Sequence, residues 1–472
     1  MKMLNLIRNN LIAIICLVLY SIITISRILN HVTWFDEAHA WTIAEQLNFP
    51  DMFNYIKNEG HFFIWQALLY PFAHSHIIPY PYPMQALNWI FCTLALILMW
   101  WKAPFNNCIK ALITFSFPFI GCYAVLARCY SLGILLLFTL TVLFYEKLKY
   151  PKIYALLLVL CANTSVMALI GATAFGILFL YEYIKSSDKK NSLWVYLILA
   201  IGALLILYQL VNMNYFVPIA TNRKPHISVR IFRNSFINGS LILNCLLVSL
   251  FSIPFFKYFY DKKNILFFIS FNYFWLLTFL MAVYGGGFWH SYFFYIFLIV
   301  ALWLCGNNEQ NKYVIITFTI ISLILLFHRP VDKDYYQVFG RKSLDLLNII
   351  ERDDNLNNST IIQNSGILYE AIPYAYGRSY VLKNHCHNED NTDYDLMNNN
   401  DKICAIKNTI EQAKRYPDKL KPIIDDNTYT FIDKREYKID KDFEEIKANG
   451  YSIFFKKYKD FENYSFWKIY VK

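Results

Sequence analysis

The feature that most constrains this chain is the recurrence of apolar stretches, most of them about 17–22 residues and so long enough to cross a hydrocarbon core of about 30 Å as a helix, with several shorter. They fall at 10–29, 62–78, 84–101, 109–127, 131–145, 152–164, 166–184, 193–211, 237–257, 264–283, 289–305 and 312–328. Only 17% of the 472 residues are charged and 57% are hydrophobic, whereas a soluble domain is about a quarter charged. The pattern excludes an ordinary soluble enzyme and predicts a polytopic α-helical membrane protein with about 11 to 13 transmembrane helices.

The first stretch has the basic-then-apolar order of a signal peptide, but it is long and no small-residue cleavage site follows, so a retained helix is expected. Lys2 and Arg8 precede it, which puts the N-terminus in the cytoplasm and the loop at about 30–61 outside. The basic turns at 146–152, 185–192 and 257–264 read as cytoplasmic. Lys102 and Lys110 also pull their loop inward, which the alternation accommodates only if a span is dropped or split. The net charge of +10 is spread over such turns and the tail, without an aromatic-interleaved basic strip; membrane orientation accounts for it, and nucleic acid is not an expected partner.

Near residue 329 the character changes to a segment rich in Asp, Asn and Lys. The module at 1–328 is thus followed by a small soluble α/β domain at 329–472. "STIIQNSGILYEAIPYAYG" reads as a strand and a short helix, while "TYTFIDKREY" and "YSIFFKKYKDFENYSFWKIYVK" alternate as strands do.

No Walker motif, dinucleotide fingerprint, HExxH, paired CxxC or nucleophile elbow is present. The chemistry-bearing residues lie elsewhere. "WFDEAHAWTIAEQ" sets Asp36, Glu37 and His39 just after the first span, and His61 follows at the mouth of the next. Asp36 has a structural use as a helix cap worth about 1 kcal/mol and a chemical use as a carboxylate at the membrane surface. Arg128 is the one charge between Lys110 and Glu146; it either snorkels from a helix end or serves as a cation for an anionic ligand. Arg223, Lys224, Arg230 and Arg233 fit a cytoplasmic loop as well as a lipid-phosphate site. His290 stands among aromatics that an interfacial belt would explain. The glycines at 285–287 read as close packing or a helix break, and His385, Cys386 and His387 are too crowded for a tetrahedral set.

The order "WFDEAHAW", "EGHFFIWQALLYP", "PFIGCYAVLARCYSLGILLLF" and "GGGFWHSYFFYIFLIVALWL" resembles the GT-C membrane glycosyltransferases of the protein-mannosyltransferase and aminoarabinose-transferase type, bacterial branch. The resemblance covers about the first 330 residues. It implies a GT-C fold in a bacterial inner membrane and transfer of a hexose or pentose from a polyprenyl-phosphate donor to a lipid, glycan or protein acceptor on the outer side. It implies Asp36 as general base, Arg128 with its neighbour Tyr130 as the cation site for the leaving phosphate, and Glu37, His39, His61 and His290 around the substrates. A divalent metal at Asp36 and Glu37 is also compatible with it. Two departures touch donor and metal use: "HFF" replaces a common His-Pro-Pro, and Trp289 precedes His290 where a basic residue is usual. Many relatives carry an extracytoplasmic domain after the last helix; an exported tail would let Cys386 and Cys404 form a disulfide.

A flippase or transporter of lipid-linked sugars, a polysaccharide polymerase and a non-catalytic scaffold are the rival readings. Repeated halves and mid-span ionisable residues, the marks of a coupled transporter, are not evident in the sequence.

Overall fold

The computed structural model describes residues 10–55, 60–75, 77–186, 192–212, 250, 252–283, 287–306, 312–327, 341–357, 359–362, 428–433, 442–448, 450–462 and 464–472. The basic cluster at 223–233, the His385–His387 run, and Cys386 and Cys404 lie outside them. The chain is mostly helical with a small C-terminal sheet. It divides into two compact units. One comprises Met1–His31, Phe53–Leu69 and Tyr82–Asp334, and the other Val32–Met52, Tyr70–Pro81 and Tyr335–Lys472.

In the first unit, five helices among the described residues are long and apolar enough to cross a bilayer: Leu11–Leu29, Tyr82–Lys102, Val166–Lys185, Leu193–Val211 and Lys263–Val283. The two most apolar, Leu11–Leu29 and Leu193–Val211, bury only 28% and 17% of their most apolar 18-residue stretch, whereas the less apolar Val166–Lys185 buries 56%. Water as solvent would reverse that order; a lipid solvent does not. These helices are compatible with a membrane protein.

Helices approach closely where a side chain is missing. A Cβ on Gly171 would stand 2.6 Å from Leu137 Cδ2 and 3.0 Å from Phe297 Cε1, so glycine lets three helices meet at one point, the small-residue packing usual in membrane bundles.

Several expected spans are shorter or broken. The 62–78 stretch forms only the 12-residue helix Ile64–Ser75, with Pro71 inside it, about 18 Å of rise. The 109–127 stretch is not one helix: Asn107–Phe115 ends at Ser116, whose backbone is extended (ψ 148°), and a π-helical turn begins at Pro118. Proline lacks the N–H that would continue the ladder but suits the first turn of a new helical segment. The 289–305 stretch divides at Tyr292 into Phe288–Ser291 and Phe293–Leu304.

Lys147, expected in a solvated basic turn, is instead buried. Its Nζ meets Glu182 Oε2 at 2.7 Å, with side-chain exposures of 4% and 31%, and donates to the Phe144 carbonyl at 3.0 Å. The exposures make the pair asymmetric. Glu182→Gln strands an ammonium in the interior, whereas Lys147→Met leaves a carboxylate that water still reaches. We expect Glu182→Gln to lower the thermal midpoint of the full chain in nanodiscs more than Lys147→Met does; equal losses would contradict this reading.

In the second unit, the short helix Phe35–Gln46 follows the first apolar helix. The Trp41 and Tyr80 rings lie 5.4 Å apart, and Tyr80 Oη donates to Thr33 Oγ1 at 2.6 Å. The C-terminal part carries β1 (Thr360–Ile362), β2 (Thr428–Asp433), β3 (Phe443–Ala448), β4 (Tyr451–Asp460) and β5 (Tyr464–Val471), in the order β1-β2-β5-β4-β3. Only β1 and β2 run parallel; the other pairs are antiparallel. Tyr429, Tyr464 and Phe466 on the sheet pack with Leu346, Ile350 and Leu356 from the preceding helices. Asp353 ties these layers together: it accepts from Tyr458 Oη and Lys459 Nζ, both at 3.0 Å, and from the Leu356 amide. Burial raises its carboxyl pKa, but the bonds from Lys459, Tyr458 and Leu356 outweigh that and hold it below the usual value.

Candidate functional site

Arg128 lies in a break of helical structure, after the π-turn Pro118–Tyr123 and before the helix Tyr130–Leu143. All residues from Ala124 to Tyr130 are buried, and Arg128 is 6% exposed. Snorkelling from a helix end therefore does not describe it. Non-helical backbone at membrane depth must be enclosed in protein or line a cavity, because lipid offers its polar groups no partner. Here Asn88, itself fully buried, donates from Nδ2 to the Tyr123 carbonyl at 2.8 Å and the Ala124 carbonyl at 3.2 Å. Ser131 Oγ also donates to the Tyr123 carbonyl, at 2.6 Å. Asn88 was not among the sequence candidates, although a side-chain amide in an apolar helix is a signal of that kind of role.

Two residues beyond Arg128, the Tyr130 hydroxyl is bonded to His61 Nε2 and to His290 Nε2, both at 3.0 Å. The phenol meets both imidazoles edge-on, with centroids 5.2 and 5.5 Å apart. All three side chains are buried, so His290 is held inside the unit and is not part of an interfacial belt. Gly287, from the glycine run, donates its N–H to His290 Nδ1 at 2.9 Å. A Cβ on Gly287 would stand 2.5 Å from the Trp289 ring, which is the close packing that keeps this position a glycine. Tyr123 Oη donates to the Trp289 carbonyl at 2.8 Å, tying the same segment to the π-turn. Burial first, then the charge of Arg128 and the neighbouring His290, push the His61 pKa well below the ordinary imidazole value. His61 is thus uncharged at neutral pH, and Arg128 supplies the positive charge of the group.

The remaining sequence candidates stand in the second unit, on the helix Phe35–Gln46. The helix is capped by Trp34, not Asp36. Glu37, in the third helical position, accepts from the Trp34 N–H at Oε2, 3.1 Å away, which is the carboxylate half of a capping box. Glu37 is fully buried and His39 is 6% exposed, while Asp36 is only half-buried. Of the two adjacent carboxylates, Asp36 is the one that solvent reaches. On the same helix, burial pushes Glu45, which the sequence reading passed over, up to about 7. Among the described residues no group of three or more His, Cys, Asp or Glu is arranged to hold a metal ion.

The structure therefore brings His61, Tyr130 and His290 into one hydrogen-bonded group under the charge of Arg128, and it places Asp36, Glu37 and His39 together on one short helix. No family model matches the chain, and neither does a curated protein or a solved structure.

Proposed function

We propose that the protein is an inverting glycosyltransferase of GT-C type, with about 11 to 13 spans, that moves a sugar from a polyprenyl-phosphate donor to an acceptor hydroxyl or amine on the outer side of a bacterial cytoplasmic membrane. In the proposed step the acceptor atom attacks the anomeric carbon as its proton passes to the Asp36 carboxylate. The bond from the anomeric carbon to the phosphate oxygen breaks, and its electron pair leaves with the polyprenyl phosphate. Arg128 stabilises the charge that collects there. His61, Tyr130 and His290 bind on the phosphate side, and Glu37 and His39 support the helix that carries the base. A divalent metal at Asp36 and Glu37 would have to compete with the Trp34 N–H for Glu37 Oε2.

The observation that carries this reading is the enclosed polar group of Arg128, His61, Tyr130 and His290 in a mostly apolar helical unit. Ionisable groups enclosed in such bundles mark function more often than stability. A coupled transporter is less well supported: the five long helices carry their Asp, Glu, Lys and Arg residues only in terminal turns. Direct displacement predicts inversion at the anomeric carbon. A product formed from an anomerically pure donor should show the opposite configuration by NMR, and a retained configuration would contradict the single-step mechanism.

A further inference from the structure

The hydrogen bonds of this group fix where its protons lie. The Gly287 N–H points at His290 Nδ1, so that nitrogen carries a lone pair and the neutral ring has its hydrogen on Nε2. His290 Nε2–H then donates to Tyr130 Oη, and the Tyr130 hydroxyl donates in turn to His61 Nε2, 3.0 Å away. With its Nε2 accepting, His61 holds its own proton on Nδ1. His61 is 8% exposed, and Nδ1 is buried without a hydrogen-bond partner among the described residues. A buried donor left in that state is destabilising, and a ligand oxygen would relieve it.

We propose that His61 Nδ1–H is an uncharged hydrogen-bond donor to a phosphate oxygen of the ligand, and that Tyr130 and His290 are positioning residues that keep the proton on that nitrogen. This rests on the reading of Arg128 as a phosphate site. A guanidinium has five N–H donors and no acceptor, so it and His61 Nδ1–H together suit a ligand rich in acceptor oxygens and negatively charged. A neutral donor adds a directed hydrogen bond without placing a second cation in the interior. The order of bonds makes His290 the anchor, since its tautomer is set by the backbone, and Tyr130 the element that transmits the choice over two histidines separated from it by 69 and 160 residues in the chain.

The two ring nitrogens can be tested separately on the full chain in nanodiscs. Asparagine places its amide nitrogen near the Nδ1 position and glutamine near Nε2. With farnesyl phosphate as probe, His61→Asn should bind within about threefold of wild type and His61→Gln about tenfold more weakly. In ¹⁵N-histidine spectra wild-type His61 should carry its proton on Nδ1, and Tyr130→Phe should yield a mixture of tautomers. His61→Gln binding as tightly as wild type, or a wild-type His61 protonated on Nε2, would overturn the proposal. Inorganic phosphate that binds as tightly as farnesyl phosphate, with the same dependence on His61, would support the donor role while removing the lipid carrier from the proposed function. None of these readouts requires sugar transfer, so loss of the transferase reading leaves them interpretable.

Discussion

Asp36→Ala should insert and fold normally yet lose sugar transfer by about 10²–10⁴-fold, the range that a positioned general base supplies. The separation of folding from chemistry follows from where the residue sits. Asp36 is half-buried in the first turn of the helix Phe35–Gln46, and the capping bond there is made by Glu37, not by Asp36. Removing Asp36 therefore leaves that capping bond in place and forfeits a favourable charge at a helix N-terminus, about 0.3–1 kcal/mol. Asp36→Asn should lose nearly as much activity as the alanine variant, because the amide keeps the size and cannot take a proton. Glu37→Ala should show the converse, a loss of stability of about 1 kcal/mol as the capping carboxylate goes. Undiminished transfer by Asp36→Ala, measured with equal amounts of inserted protein, would remove Asp36 from the mechanism.

Arg128→Leu should reduce the turnover rate by about 10²–10³-fold, as expected when a fixed group that stabilises charge in the transition state is lost. Leucine is the informative replacement because it removes the charge and the N–H donors while keeping a side chain of similar bulk. Arg128→Lys should fall between, since it keeps the charge and loses the planar fork. The leucine variant carries its own internal check. The Arg128 charge is one of the causes that depress the His61 pKa, so its removal should raise that pKa toward the ordinary imidazole value, leaving burial as the main remaining cause. A full-rate Arg128→Leu enzyme would show that the cation does not act on the leaving group.

The apolar helices were legible in the sequence because their length is set by the bilayer and their composition by the absence of water. Their interruptions were less so. Hydropathy is blind to backbone direction, and the break at Ser116 was signalled only by Pro118 two residues later. Lys147 looked like any other lysine of a basic turn, and its ion pair with Glu182 depends on a contact between residues in different helices. In the C-terminal part, β2, β4 and β5 form where strands were read from the sequence, although burial along β5 does not alternate, whereas β3 was missed. The missed signal was local: Asn449-Gly450 joins β3 to β4, and Gly450 takes a positive φ of 80°, the backbone that a two-residue hairpin requires.

At the candidate site the residue types were legible and their grouping was not. Nothing local links His61, Tyr130 and His290, and only the packed helices supply the two hydrogen bonds. The neighbouring acids were harder to rank. Sequence placed Asp36 and Glu37 side by side, and it took the course of the helix to give Glu37 a backbone partner and leave Asp36 accessible.

Formation of a glycosidic bond is the proposed activity on which the other expectations depend. The most direct measurement reconstitutes the full chain in sealed vesicles with a short-chain polyprenyl-phosphate sugar labelled in the sugar, and follows whether the label leaves the prenyl phosphate. The label should pass into a new glycosidic bond while free prenyl phosphate appears in equal amount, and Asp36→Ala should stop both. Label that crosses the bilayer still attached to its carrier, with no new bond formed, would contradict the proposed activity.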